Sequence, residues 1–276
     1  MICYYCLSHT YSKEVIRVKV AVIQMDTKLG EPVRNDAHAR ELIESAMAAR
    51  PDVLVLPELW TLGFFPDNTA ELADRDGQHI RHFLAALARE YRVNIVGGST
   101  ANIIGAHIYN TCYVFDRDGH QVAVYHKTHL FNPGREGEVF TPGDRLATFE
   151  LDGTRCGVAI CYDLRFPELF RRLALMGAAI IFLPAAWPSE RLIHWQTLTR
   201  ARAIENQIFL VAANACGSYQ HEHTLGGHSA IIDPWGEMLA TAGDDEEIIQ
   251  ANMRLIIRDQ IKQSMDVFAD RRPELY

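Results

Sequence analysis

The run Val53-Leu54-Val55-Leu56 is apolar at every position and stops at Pro57-Glu58. A strand without a polar face must be covered on both sides, so the chain has to build a layered structure around it. The rest of the sequence supplies the layers. Residues 18–24, 93–98, 154–160, 178–183 and 208–213 read as further short strands. Helices are expected over 32–50, 76–91 and 189–206, and from Pro167 to near Gly177. In the second of these Ile80, Phe83, Leu84, Leu87, Ala88 and Tyr91 recur at helical spacing. Residues 109–115 and 121–126 read as a hairpin across Asp116-Arg117-Asp118-Gly119. Residues 227–232 and 237–241 form a second across Asp233-Pro234-Trp235-Gly236. Strands that partly alternate with helices and partly pair as hairpins define an α/β protein with mixed sheets.

The 276 residues suffice for a sizeable core, and the reading is one domain, 17–276, preceded by an extension over 1–16. The net charge is -8, and the basic pairs Arg171-Arg172 and Arg271-Arg272 stand alone. A chain without a basic patch is not expected to bind nucleic acid. Every apolar run is far shorter than the ~20 residues that span a bilayer, so no membrane partner is expected. The first 19 residues hold no apolar core of a secretory signal, and six cysteines in so long a chain do not form a disulfide framework; the expected location is cytoplasmic. Cys3 and Cys6 form a C-x-x-C with no second pair at zinc spacing, so the extension is read as non-catalytic.

Three segments carry chemistry. Glu58 follows a buried strand directly, at the strand end where α/β sheets place their ligands, and there it can serve as a base. Lys127 ends a strand within Tyr125-His126-Lys127-Thr128-His129-Leu130-Phe131. Cys161 lies in Gly157-Val158-Ala159-Ile160-Cys161-Tyr162-Asp163-Leu164-Arg165-Phe166-Pro167-Glu168, on a sharp strand-to-helix turn that resembles a nucleophile elbow. A thiol is mostly protonated at neutral pH and needs a neighbouring base or cation to attack. Cys112, Cys156 and Cys216 read instead as small core residues.

Taken together, these segments resemble the nitrilase superfamily of carbon–nitrogen hydrolases, over about residues 18–265. That family carries Glu, Lys and Cys in this order at strand ends; here Glu58 and Lys127 are 69 residues apart, and Lys127 and Cys161 are 34 apart. The resemblance implies a four-layer α-β-β-α sandwich and a homodimer or larger homo-oligomer, with the helix after Cys161 as contact. It also implies a second glutamate shortly before a Pro-Gly pair. Glu136 fits the commoner spacing to Pro142 and is preferred; Glu138 fits the spacing of some aliphatic amidases. Tyr162-Asp163 departs from the Trp-Glu that follows the cysteine in nitrilases proper. The run 164–170, Pro184-Ala185-Ala186-Trp187-Pro188 and the run 200–206 look like the omega-amidase branch, whose members hydrolyse the terminal amide of 2-oxo dicarboxylic acid monoamides.

The resemblance thus implies a cysteine-dependent amidohydrolase with a thioester intermediate. Glu58 would be the base, Cys161 the nucleophile, Lys127 and the Tyr162 N–H the oxyanion donors, and the second glutamate the holder of Lys127. No metal or organic cofactor is required. Arg165 is the candidate for a substrate carboxylate, and Phe131, Tyr162 and Trp187, with Trp60 and Phe64, are candidates for the pocket walls. A carbamoyl-amide hydrolase, a nitrilase and an aliphatic amidase would share the same three residues. A silent binding scaffold would have no use for all three. His221, His223 and His228, with Glu222, have irregular spacing and read as a polar loop rather than a metal site.

Overall fold

The computed structural model describes residues 17–219 and 223–275. Cys3 and Cys6, His221 and Glu222 lie outside the described residues. Two mixed sheets dominate. The first runs in the order Glu247–Arg254, Arg17–Gln24, Val53–Val55, Asn94–Val96, His107–Phe115, Thr100–Ile104 and Asp74–Arg75, with Gln121–His126 also paired to His107–Phe115. The second runs Met238–Thr241, Ala230–Ile232, Phe209–Asn214, Ile180–Ala185, Thr154–Val158 and Ala147–Leu151.

Period-two alternation decides which residues face which layer. In the first strand Ala21 and Ile23 join Leu54, Leu56 and Ile95 against Ala39, Ile43 and Ala46 of the helix Pro32–Met47, and against Ile80, Leu84 and Leu87 of the helix Gln78–Tyr91. Val20, Val22, Val53 and Val55 point the other way, into a core shared with Phe149, Cys156, Val158 and Phe182 of the second sheet. On that sheet's far side lie the helices Pro167–Leu175 and Leu192–Asn206, with Gly157 against Leu173. The layers are therefore helix, sheet, sheet, helix, as expected.

Several boundaries differ from the sequence reading. The strand expected over 154–160 ends at Val158, because Ala159 and Ile160 lead into the turn at Cys161. Residues 189–191 form a 3-10 turn before the helix Leu192–Asn206. Among the described residues six strands were not expected: Asp74–Arg75, Thr100–Ile104, Ala147–Leu151, Ser218–Tyr219, His223–Thr224 and Glu247–Arg254.

The buried thiols give the fold a pH limit. Burial pushes Cys156 and Cys216 up to about 12 and Cys112 higher still. As pH rises, the unfolded chain releases these protons first, so their contribution is complete below about pH 8.5 and is lost above it. By pH 10 each thiol should remove about 2 kcal/mol of stability. The urea midpoint is expected to fall steeply between pH 8 and pH 10; a flat midpoint would contradict the burial of these groups.

Candidate active site

The strand directions bring the site residues to one edge of the molecule. Val53–Val55 and Asn94–Val96 are parallel, His107–Phe115 is antiparallel to them, and Gln121–His126 is antiparallel again. The first and last of these therefore end on the same side, placing Glu58 and Lys127 together. In the second sheet Thr154–Val158 and Ile180–Ala185 run parallel and carry Cys161 and Ala186 at their ends. The sheets meet where the Glu58 N–H donates to the Ala185 carbonyl at 3.3 Å and the Ala186 N–H donates to Glu58 Oε2 at 2.9 Å.

Lys127 is fully buried between two carboxylates. Its Nζ donates to Glu58 Oε1 at 2.8 Å and to Glu136 Oε1 and Oε2 at 2.9 and 2.8 Å. Burial alone would lower the lysine's pKa, but the charges of Glu136 and Glu58 outweigh it and raise the value. Lys127 is therefore a permanent cation. Glu136 is fixed further by the Phe131 N–H at 2.6 Å. Glu138, two residues on, is exposed and pairs with Arg135 through contacts of 2.8 and 2.6 Å. Of the two glutamates, Glu136 is the one in contact with Lys127.

Asn110 completes the cluster and had no signal of its own beyond being a polar residue within a strand. Its Nδ2 donates to Glu58 Oε1 at 2.8 Å and to Glu136 Oε1 at 3.2 Å. The two oxygens of Glu58 are consequently occupied differently. Oε1 takes Lys127 and Asn110, while Oε2 takes one backbone N–H and keeps further acceptor capacity.

Cys161 is 5% exposed and opens the 3-10 turn Cys161–Arg165 with φ of 46°. A left-handed backbone costs a non-glycine residue on the order of 1 kcal/mol, and something must hold it. Asp163 does so. This buried carboxylate accepts the Ile160 N–H at 2.8 Å and the Tyr125 hydroxyl at 2.7 Å, and it also takes the Thr128 hydroxyl and the His129 N–H at 3.0 and 3.1 Å. His129 Nδ1 approaches it to 2.7 Å, and the His129 ring stacks on Phe166 with centroids 3.7 Å apart. Asp163 thereby ties the cysteine turn to the chain that carries Lys127. Burial and the adjacent negative charge of Glu58 push the Cys161 thiol well up, against the lowering effect of Lys127. The Cys161 thiol thus lies beside a buried carboxylate and near a buried lysine.

A cavity opens over the sulfur, lined by Phe64, Phe131, Tyr162, Arg165, Trp187 and Arg191 among others. Of the five aromatic residues considered for its walls, four are there. Trp60 is not: its indole N–H donates to the Gly97 carbonyl at 2.8 Å and its ring packs near Phe83 in the helix-side core. Arg191 and Tyr219 line the cavity without having been expected. His223 pairs with Glu190 at 2.8 Å and His228 with Asp244 at 3.0 Å, separate contacts that do not converge.

A strand-end cysteine, a carboxylate beside it and a buried lysine, in a two-sheet sandwich, are the parts of an acyl-transfer site. The carbon–nitrogen hydrolase family model matches residues 19–262, and the chain belongs to that family. It is 42% identical to the 2-oxoglutaramate amidase of Bacillus subtilis over 257 residues, 93% of this chain and 98% of that one. It is 31% identical to the human omega-amidase NIT2, covering 95% of each chain. The crystal structure of Saccharomyces cerevisiae Nit3, a member of branch 10 of the nitrilase superfamily, superposes with a TM-score of 0.86. That match is 29% identical and covers 94% of this chain and 97% of the yeast one. The protein is accordingly an enzyme, an amidohydrolase of the omega-amidase-like kind.

Proposed function

We propose that this enzyme hydrolyses the terminal amide of a small carboxylate-bearing substrate, such as 2-oxoglutaramate, to the acid and ammonia, with Cys161 as nucleophile and Glu58 as base. The observation that carries the reading is the position of Glu58, whose carboxylate holds Lys127 at 2.8 Å and whose charge acts directly on the Cys161 thiol. The similarity to amidases named for 2-oxoglutaramate and omega-amides supports the substrate class.

The chemistry follows from the contacts. Glu58 takes the Cys161 proton as the sulfur bonds to the amide carbon. Charge moves to the carbonyl oxygen, where Lys127 and the Tyr162 N–H stabilise it. Glu58 passes its proton to the leaving nitrogen, the C–N bond breaks and ammonia departs from a thioester. Water then gives a proton to Glu58 while its oxygen bonds to the acyl carbon. The S–C bond breaks, the acid leaves, and the proton returns to sulfur. Glu136 keeps Lys127 charged and in position throughout. Arg165, in the wall of the same cavity, receives the substrate carboxylate, with Phe131, Tyr162 and Trp187 around it.

Ammonia release from 2-oxoglutaramate is measured beside glutamine, a carbamoyl-β-amino acid, a simple aliphatic amide and a nitrile. Fast release from the 2-oxo amide supports the reading; preference for another compound moves the substrate and overturns this part of it. We place residues 1–16 outside the catalytic unit, so a chain beginning at Arg17 should keep its activity. The homo-oligomer is proposed to use the helix Pro167–Leu175, at whose end Leu175 and Met176 stand exposed, and the location is proposed to be cytoplasmic.

A further inference from the structure

We propose that Arg191 is a second specificity-determining residue, which together with Arg165 forms a two-guanidinium cleft for the far carboxylate of the substrate. This deepens the omega-amidase reading and rests on it for the identity of the amide.

Both arginines line the cavity that holds Cys161. Arg165 is the last residue of the turn that begins with the cysteine, and Arg191 ends the turn Ser189–Arg191 that follows Trp187. The Arg165 guanidinium lies over the Trp187 ring, 4.6 Å from its centroid, and Arg191 lies 5.4 Å from the centroid of Phe131. The Trp187 indole N–H donates to the Arg191 carbonyl at 2.9 Å, so the ring on which Arg165 stacks is held within the segment that carries Arg191. Stacking fixes the plane of a guanidinium without consuming its N–H donors, which stay available to a planar anion.

Among the described residues no carboxylate forms an ion pair with Arg165 or Arg191, whereas Arg117, Arg135 and Arg202 pair with Asp152, Glu138 and Glu205. The polar contact of Arg165 is a histidine nitrogen, His194 Nδ1 at 3.3 Å. Glu190, the sequence neighbour of Arg191, is engaged by His223 at 2.8 Å. Burial lowers the pKa of Arg165, and the positive charge of Arg191 lowers it further. Two like charges held in one half-buried cavity are stabilised by an anion between them. A carboxylate presents two oxygens, enough for one fork from each side. With the thiol in the same cavity, the ligand this selects carries an amide at one end and a carboxylate at the other.

The test compares kcat/KM for 2-oxoglutaramate with that for pentanamide, a neutral amide of the same carbon count, in the wild-type enzyme, Arg191→Gln, Arg191→Lys and Arg165→Gln. Arg191→Gln is expected to reduce the ratio at least tenfold, mainly through KM for the charged substrate, and Arg191→Lys to recover part of it. In parallel, calorimetry follows binding of the dicarboxylate product 2-oxoglutarate to Cys161→Ala protein, with expected weakening of tenfold or more when Arg191→Gln is added. An unchanged ratio together with unchanged product binding overturns the cleft, and the omega-amidase reading survives. If wild-type enzyme fails to turn over 2-oxoglutaramate yet binds the dicarboxylate in an Arg191-dependent way, the omega-amidase reading falls and the cleft stands.

Discussion

Cys161→Ala is expected to lower ammonia release by at least about 10^4-fold, the scale seen when a nucleophile is deleted from a preorganised site. The fold should survive. The sulfur carries no ladder hydrogen bond, and the turn is held by Asp163 through contacts that the substitution leaves intact. Melting within a few degrees of wild type would separate lost chemistry from lost structure. A companion measurement traps the thioester: mass spectrometry of wild-type enzyme quenched during turnover should show the acyl group on the peptide containing Cys161. Turnover that persists in the alanine variant would remove Cys161 from the mechanism.

Lys127→Met should be the most damaging change to stability. It removes the one cation that, among the described residues, is hydrogen-bonded to the Glu58 and Glu136 pair, and leaves two buried carboxylates sharing the Asn110 amide. Breaking a buried ion pair from one side typically costs about 3–5 kcal/mol. For a chain of this size that amounts to a drop in melting temperature on the order of 10 °C. Activity should fall by a further factor of about 10^2–10^3 or more from the missing oxyanion donor. Adding Glu136→Gln to the variant removes one of the stranded charges and should recover part of the stability without recovering activity. If the double variant melts below the single one, the two carboxylates are not in electrostatic competition as described.

Glu58, Lys127 and Cys161 each stand where a strand's apolar pattern stops, but position alone does not separate Glu58 or Lys127 from a solvated residue; the resemblance to carbon–nitrogen hydrolases singled out the three together. Other members of the site leave weaker marks. Asn110 sits within a strand whose remaining pattern is set by pairing, and only the placement of two carboxylates gives its amide a purpose. Glu136 and Glu138 occupy one 3-10 turn, Glu136–Glu138, in which neighbours two apart face different ways, so spacing could suggest but not decide. Asp163 was visible within the cysteine motif, yet its partners Tyr125, Thr128 and His129 lie 34 to 38 residues away in sequence. Trp60 looked like a pocket wall because it follows Glu58 closely, but its indole N–H requires an acceptor, and that acceptor is in the core. The missed strand Ala147–Leu151 spans only five residues, and Glu247–Arg254 places Ile248 and Ile249 side by side, which interrupts its alternation.

The link between Glu58 and Ala186 spans 128 residues and joins the two sheets. A polypeptide emerging from the ribosome exposes Glu58 first and Cys161 much later, and even then the base has no backbone donor until Ala186 has been made and docked. The proposed base and nucleophile therefore come into register only when the two sheets have docked, so the site is a product of tertiary structure and no contiguous stretch of chain contains it.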